Sequence, residues 1–238
     1  MADAPLLEAR SVSRTYPGVT GIAAVQGVSF SLPRREFALV MGPSGSGKTT
    51  FLGMLAGFDE PDEGDVRWQG RPFAELGRDE RLEVRRTGIA VIFQSYGLLP
   101  SLSAVENVEL PLRVTGTDLA EARERASSWL ERLDLGHRLH HRTFELSGGQ
   151  QQRVAVARAL VVEPEVVLAD EPIAEVDSEN ADLILSALWE VVVRNGSVLA
   201  ATHNPEALRY ASRVVLFRDG EVEAEGTPDQ VAGQLTTD

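Results

Sequence analysis

The run GPSGSGKTT at residues 42–50 constrains this chain more than any other feature. It follows five apolar residues (37–41) and precedes a helix-like run in which Phe51, Leu52, Met54, Leu55 and Ala56 are apolar. Strand, glycine-rich loop and helix therefore occur in the order that a phosphate cradle requires. Gly42, Gly45 and Gly47 let the backbone turn tightly and aim its N–H groups inward, while the helix N-terminus adds positive potential. Pro43, Ser44, Ser46 and Thr50 complete the loop. Lys48 is placed to reach the β- and γ-phosphates of a nucleotide, and the Thr49 hydroxyl to hold Mg²⁺. Lys48 is also the only lysine in the chain; every other basic residue is an arginine. A chain that otherwise uses planar guanidinium forks keeps one compact ammonium where a phosphate loop needs a point charge.

The 238 residues suffice for one substantial core, or one core with a smaller lobe. With 36 acidic and 23 basic residues the net charge is −13, which argues against a nucleic-acid binder or an anionic-membrane surface protein. Phosphate must be gripped locally. There is no cysteine, so disulfides, thiolate metal sites and cysteine nucleophiles are excluded. No window approaches the roughly 20 consecutive apolar residues that span a bilayer, and no signal-like pattern opens the sequence, so direct membrane insertion is not expected.

Residues 6–13 and 25–32 read as strands, with a turn at Tyr16, Pro17 and Gly18. Tyr16 reads either as core filler or as an aromatic platform for a flat ligand. A turn over 59–64 leads to a strand at 66–69, residues 79–86 form at best a solvated helix, and 89–93 is an apolar strand ending at Gln94. Gln94 either satisfies backbone groups or reaches a cation or a phosphate-bound water.

Residues 94–162 change texture. Leu119, Ala122, Ala126, Leu130 and Leu133 recur at helical steps, opposite Glu121, Arg123, Glu124 and Arg125. This reads as a helical lobe inserted into an α/β core made of 1–93 and 163–238. In LSGGQQQR (146–153), Ser147 and Gln150 have capping-box spacing and open a helix over 150–162. It is an ordinary helix start, or a second anion site in which Ser147, Gly148 and Gly149 present a hydroxyl and bare N–H groups.

A second buried strand, 166–169, ends in Asp170 and Glu171. Adjacent carboxylates there lie at the edge where open α/β sheets bind ligands. They form either a solvated loop or an acid for Mg²⁺ beside an acid for water, and the second is the better use. A helix over 184–193 and a strand over 197–201 deliver Thr202 and His203 to the same edge. A strand over 214–217, a hairpin signal at Asp219 and Gly220, a strand over 221–224 and a short helix over 229–235 complete the chain, and no appended regulatory domain is expected.

With the cradle, LSGGQQQR, VVLADEP and ATHN in this order, the chain resembles the ATP-binding-cassette family over about residues 6–226, as the nucleotide-binding subunit of a transporter. The run VIFQSYGLLPSLSAVENVELPL most resembles the branch of macrolide exporters, lipoprotein-releasing machines and the cell-division pair.

The resemblance implies an α/β fold: a P-loop NTPase core with a mostly parallel sheet, an N-terminal antiparallel β subdomain and an inserted helical subdomain. It implies that Tyr16 stacks on adenine, that residues 42–50 wrap the phosphates of ATP, and that Gln94 touches Mg²⁺ or the attacking water. Asp170 is implied as a support for Mg²⁺, Glu171 as the general base, and His203 as a contact to the γ-phosphate and the base. Ser147, Gly148, Gly149 and Gln150 would act across a dimer of cassettes, and Asp177 is kept near that interface. An integral-membrane permease is the implied partner, which places the chain in the cytoplasm at the inner face of the membrane. The sequence departs from the family pattern at Ile173, where a hydroxyl is usual, at Glu175, at Asn204 and at Thr143 and Phe144. The departure over Ile173 to Val176 motivates a rival reading, a slow regulatory cassette that signals without transport. A DNA-repair or translation ATPase is a second rival, disfavoured by the charge.

Overall fold

A computed structural model of the chain describes residues 4–17, 21–174, 176–231 and 233. Gly18 of the first turn, Glu175 and residues 232, 234 and 235 of the expected C-terminal helix lie outside the described residues.

The chain opens with β1 (Leu7–Tyr16) and β2 (Ile22–Leu32), followed by β3 (Phe37–Met41), α1 (Lys48–Leu55), β4 (Glu63–Trp68) and β5 (Arg71–Pro72). Next come α2 (Arg78–Glu83), a π-helical turn (Val84–Gly88), β6 (Ile89–Ile92), α3 (Ala104–Val114), α4 (Leu119–Arg132) and α5 (Gly148–Leu160). The rest is β7 (Val166–Asp170), α6 (Ser178–Val193), β8 (Ser197–Ala201), β9 (Arg213–Arg218), β10 (Glu221–Gly226) and α7 (Pro228–Val231).

Two sheets result. One is antiparallel, in the order β2-β1-β4-β5, and the other has the order β10-β9-β3-β8-β7-β6. In the second, β9, β3, β8, β7 and β6 run parallel and β10 returns antiparallel at the edge. The parallel strands read as unbroken apolar runs because both of their faces are covered. On β3, Phe37, Leu39 and Met41 face a core shared with α5 and α6, whereas Ala38 and Val40 face α1 and the antiparallel sheet. Between the sheets, α1 is apolar nearly all round: Phe51 packs edge-on against Phe30 at 5.8 Å and tilted against Phe217 at 5.1 Å.

Helices α3, α4 and α5 pack on one another, and α4 turns Ala122, Ala126, Trp129 and Leu130 inward. Leu119, expected on that apolar face, is instead exposed. It is the first helical residue, directly after the Asp118 cap, in the turn where the helix begins. Tyr16, expected in a turn, is the last residue of a ten-residue strand. Register with β2 carries the ladder that far, with Tyr16 opposite Ile22.

Candidate nucleotide-binding site

The parallel strands bring their carboxyl ends to one edge. Beyond β3, the loop passes so close to its neighbours that a Cβ at Gly42 would meet the Phe217 carbonyl at 2.1 Å, and one at Gly47 the Ala24 carbonyl at 2.1 Å. Both have positive φ, 146° and 101°, so glycine is required twice over. Gly45, the third glycine expected to shape the cradle, lines the same cleft but differs from the other two. Its φ of 80° is also left-handed, yet a Cβ there would meet nothing within 4 Å, so glycine serves the turn at this position and not a close approach. Lys48 follows as the first residue of α1 and is buried, its Nζ donating to the carbonyls of Gly42 (2.8 Å) and Pro43 (2.9 Å). Burial lowers its pKa, opposed by the charges of Glu171 and Asp170. The Ser46 hydroxyl is buried without a partner.

Asp170 closes β7 and accepts a hydrogen bond from Thr49 Oγ1 at 2.7 Å. Burial raises its pKa, as does the neighbouring charge of Glu171, while the Thr49 bond and Lys48 pull it down. Glu171 sits at φ 49°, a conformation costly for a residue with a side chain. Its own N–H donates to the Ala201 carbonyl at 2.8 Å, extending the β7–β8 ladder by one bond. The turned backbone leaves the carboxylate between the two residues that follow β8: Thr202 Oγ1 donates to Oε2 at 3.0 Å, and His203 Nδ1 lies 2.7 Å from Oε1. A cleft of about 500 Å³ runs from Ala24 through the loop to Gln94, Asp170, Glu171 and His203.

These features fit a nucleotide triphosphate. The close backbone approaches, the unpaired Ser46 hydroxyl and the buried ammonium are what phosphate oxygens can engage. The Thr49–Asp170 pair offers two oxygens to a divalent cation. That suits Mg²⁺, which keeps few protein ligands and takes the others from phosphate and water.

The remaining expected site residues lie apart from this cleft. Tyr16 is partly exposed; its phenol donates to Asp59 Oδ2 at 3.1 Å and the Arg14 guanidinium sits 5.2 Å from its ring centre. It stands on β1 opposite β2, close along the hairpin to Ala24. Asp177 caps α6 by accepting from Asn180 N at 2.9 Å. Ser147 and Gln150 form the expected capping box of α5: Ser147 Oγ accepts from Gln150 N at 3.3 Å and Gln150 Oε1 from Ser147 N at 3.0 Å. Gly148 and Gly149 follow at the surface side of this turn.

Two contributors escaped sequence reasoning. The Ala24 carbonyl acts through its backbone and leaves no residue-type signal. Thr202 as a holder of Glu171 had one available clue, its place beside His203 at the end of a core strand.

Strand, glycine loop, lysine-headed helix and a strand-end Asp-Glu pair define a P-loop nucleotide-binding domain. The family model described as ABC transporter matches residues 25–174, and the chain belongs to that family. It is 42% identical over 231 residues to a macrolide export ATP-binding/permease protein of Hyphomonas neptunium, covering 97% of this chain and 36% of that protein. The chain thus spans about a third of the length of such relatives. It is 39% identical to an uncharacterized ABC transporter ATP-binding protein of Methanocaldococcus jannaschii, covering 91% of this chain and 97% of the relative. Among solved structures it resembles the dimeric, post-hydrolysis form of the ATP-binding cassette MJ0796 bound to ADP and Pi. That match has a TM-score of 0.88 at 37% identity and covers 93% of this chain and 98% of the other.

Proposed function

We propose that this chain is the ATP-hydrolysing cassette of an exporter-type transporter, pairing with a second cassette around two ATP molecules and driving a separate membrane permease. One observation carries the reading: Lys48, the Thr49–Asp170 pair and the His203-held Glu171 converge on one cleft, whereas the Ser147 to Gln150 turn stands outside it. Phosphoryl transfer needs positioning and charge neutralisation more than covalent help, so dividing the donors between two chains makes hydrolysis conditional on closure.

Mg²⁺, held by Thr49 and Asp170 with Gln94 in reach, would neutralise charge on the β- and γ-phosphates. Lys48 exchanges its two loop carbonyls for phosphate oxygens. Glu171, fixed by Thr202 and His203, accepts the proton of the attacking water, and His203 Nε2 remains available for the γ-phosphate. Tyr16 offers its ring to adenine from the β1–β2 hairpin. Ser147, Gly148, Gly149 and Gln150 meet the γ-phosphate bound by the opposite cassette, with Asp177 at the same interface.

The permease docks on a groove of about 400 Å³ between β6 and α3, bordered by Phe58, Phe93, Pro111 and Val114. Phe58 and Val114 are more than half exposed there, and the Phe58 and Phe93 rings stack at 5.7 Å, one residue before Gln94. Among the described residues no helix is long and apolar enough to cross a membrane. Docked on a permease, the chain works in the cytoplasm at the inner membrane face. Ile173 is wholly buried in the core, and the likeness to export ATP-binding proteins favours the transporter reading over a purely regulatory cassette.

Phosphate release measured across protein concentration tests the reading. The rate should require Mg²⁺ and rise faster than linearly with protein as dimers form. A rate per chain that is constant down to the lowest concentration would contradict a two-chain site.

A further inference from the structure

The first residues of α5 belong to the two-chain site, and its far end makes a contact that the site does not account for. There Arg158 Nη1 donates to the Gly97 carbonyl at 2.5 Å and Nη2 to the Tyr96 carbonyl at 2.8 Å. These two residues directly follow a turn centred on Gln94 and Ser95. Both have left-handed backbone, φ 61° at Tyr96 and 58° at Gly97, and their N–H groups fold back on the carbonyls of Phe93 (3.0 Å) and Ser95 (2.7 Å). A tyrosine in that conformation is strained, so the turn needs something to hold it.

Arg158 is suited to hold it. No carboxylate pairs with it among the described residues, and burial alone depresses its pKa. A half-buried guanidinium with only carbonyl partners is costly to maintain, since its desolvation is offset by two charge-assisted hydrogen bonds and nothing else. The planar fork matches two successive carbonyls, which a lysine could not do. The space is shaped to it as well: a Cβ on Gly97 would lie 3.4 Å from Arg158 Nη2 and 3.2 Å from the Phe93 ring.

The other end of the same loop hangs from α3. Asn107, fully buried, accepts from Leu99 N at 2.8 Å and donates to the carbonyls of Leu99 (3.2 Å), Leu102 (3.3 Å) and Ser103 (3.0 Å). Gln94 leaves from β6 in the parallel sheet, but the loop that follows it is suspended from two helices of the helical layer.

We propose that Arg158 is a positioning residue for Gln94, a strut through which the helix that begins at the Ser147 turn sets where Gln94 lies in the nucleotide cleft. The strut rests on the reading of Gln94 as a group that serves the reacting phosphate. Its geometry gives one rigid element two ends. The N-terminus of α5 faces the opposite cassette, and about three turns later its Arg158 grips the loop beside Gln94 and forms part of the wall of the Phe58–Phe93 groove. A shift of α5 on closure, or of the groove wall on docking, reaches Gln94 without passing through the sheet.

The test is a double-mutant cycle in the full chain. Arg158→Met keeps the aliphatic stem and should lower kcat about 10-fold with KM for ATP nearly unchanged, the pattern of a misplaced group rather than a lost binding contact. Because the effect runs through Gln94, adding Arg158→Met to Gln94→Ala should slow the enzyme no further. Arg158→Lys, which retains charge and stem, should fold and fall between the two. Amide hydrogen exchange supplies a readout independent of turnover: the response of residues 95–99 to Mg-ATP should be lost in Arg158→Met. If the two substitutions multiply in full, or the 95–99 response survives, Arg158 is a structural staple and the strut is overturned. If Gln94→Ala alone leaves kcat unchanged, the reading of Gln94 falls and the strut with it.

Discussion

The N-termini of α1 and α5 both have glycines in or beside their first turn, and they are built in opposite ways. At α1 the residue before the helix is Gly47, with no side chain to cap it, so the N–H groups of the first turn are left for a ligand. At α5 the preceding Ser147 is locked into a reciprocal capping box with Gln150, and the turn satisfies its own ends. The first terminus lies in a cleft with Asp170, Glu171 and His203 around it; the second has no such company in its own chain. An uncapped terminus inside a cleft is a site already assembled, whereas a self-capped one at the surface is a rigid surface for something brought to it.

The difference predicts unlike failures. Lys48→Ala should weaken ATP binding by about 100-fold by titration calorimetry, the scale of losing charge-assisted bonds to phosphate. Binding near the original affinity would mean the α1 terminus is not the phosphate site. Ser147→Arg, by contrast, should leave ATP affinity of the isolated chain intact while lowering kcat by about 100-fold, as removal of a transition-state donor does. Loss of affinity instead would erase the distinction between the two termini.

The run from Glu171 to Asp177 joins the active edge to the α6 cap, and Ile173 anchors it in the core. Ile173→Ser, which restores the hydroxyl usual in the family, should destabilise the chain by about 2–3 kcal/mol through lost burial and an unpaired hydroxyl, visible as a drop in Tm. An unchanged Tm would show the run to be slack and its departure from the family pattern open to a functional meaning.

The smallest effect concerns Asp170. Burial raises its pKa in the folded chain, so the folded state keeps this proton to higher pH than the unfolded state, whose carboxyl has a pKa of about 3.9. The favourable contribution of this group is complete below the unfolded pKa and falls as pH rises through the folded one. Asp170→Asn should therefore flatten the pH dependence of Tm in the nucleotide-free chain over that interval. A profile identical to the parent would mean Thr49 and Lys48 fully offset the burial.

Much of this site was legible because its chemistry is local in sequence. The loop at 42–50 carries its strand before it and its helix after it, and Asp170, Glu171 and His203 each follow an apolar run whose end marks the sheet edge. The capping box at Ser147 and Gln150 was legible for the same reason. Elements set by distant partners were not. The length of β1 depends on pairing with β2 and β4, so Tyr16 read as a turn residue. Three glycines of the loop looked alike in sequence, and only the carbonyls of Phe217 and Ala24 separate Gly42 and Gly47 from Gly45. Leu119 fits the helical repeat of α4 but stands in the turn where the helix begins. Arg158 looks like any helix arginine until the Tyr96 and Gly97 carbonyls, some 60 positions earlier, are brought against it.

The central claim is that a site assembled at the α1 terminus is completed by the α5 terminus of another chain. Sedimentation of Glu171→Gln with and without Mg-ATP tests it most directly, because removing the base preserves binding and stops the step that releases the pair. The account predicts monomer without nucleotide and a stable dimer with it, abolished by adding Ser147→Arg. A monomer in both conditions, with ATP binding demonstrated in the same sample, would contradict it.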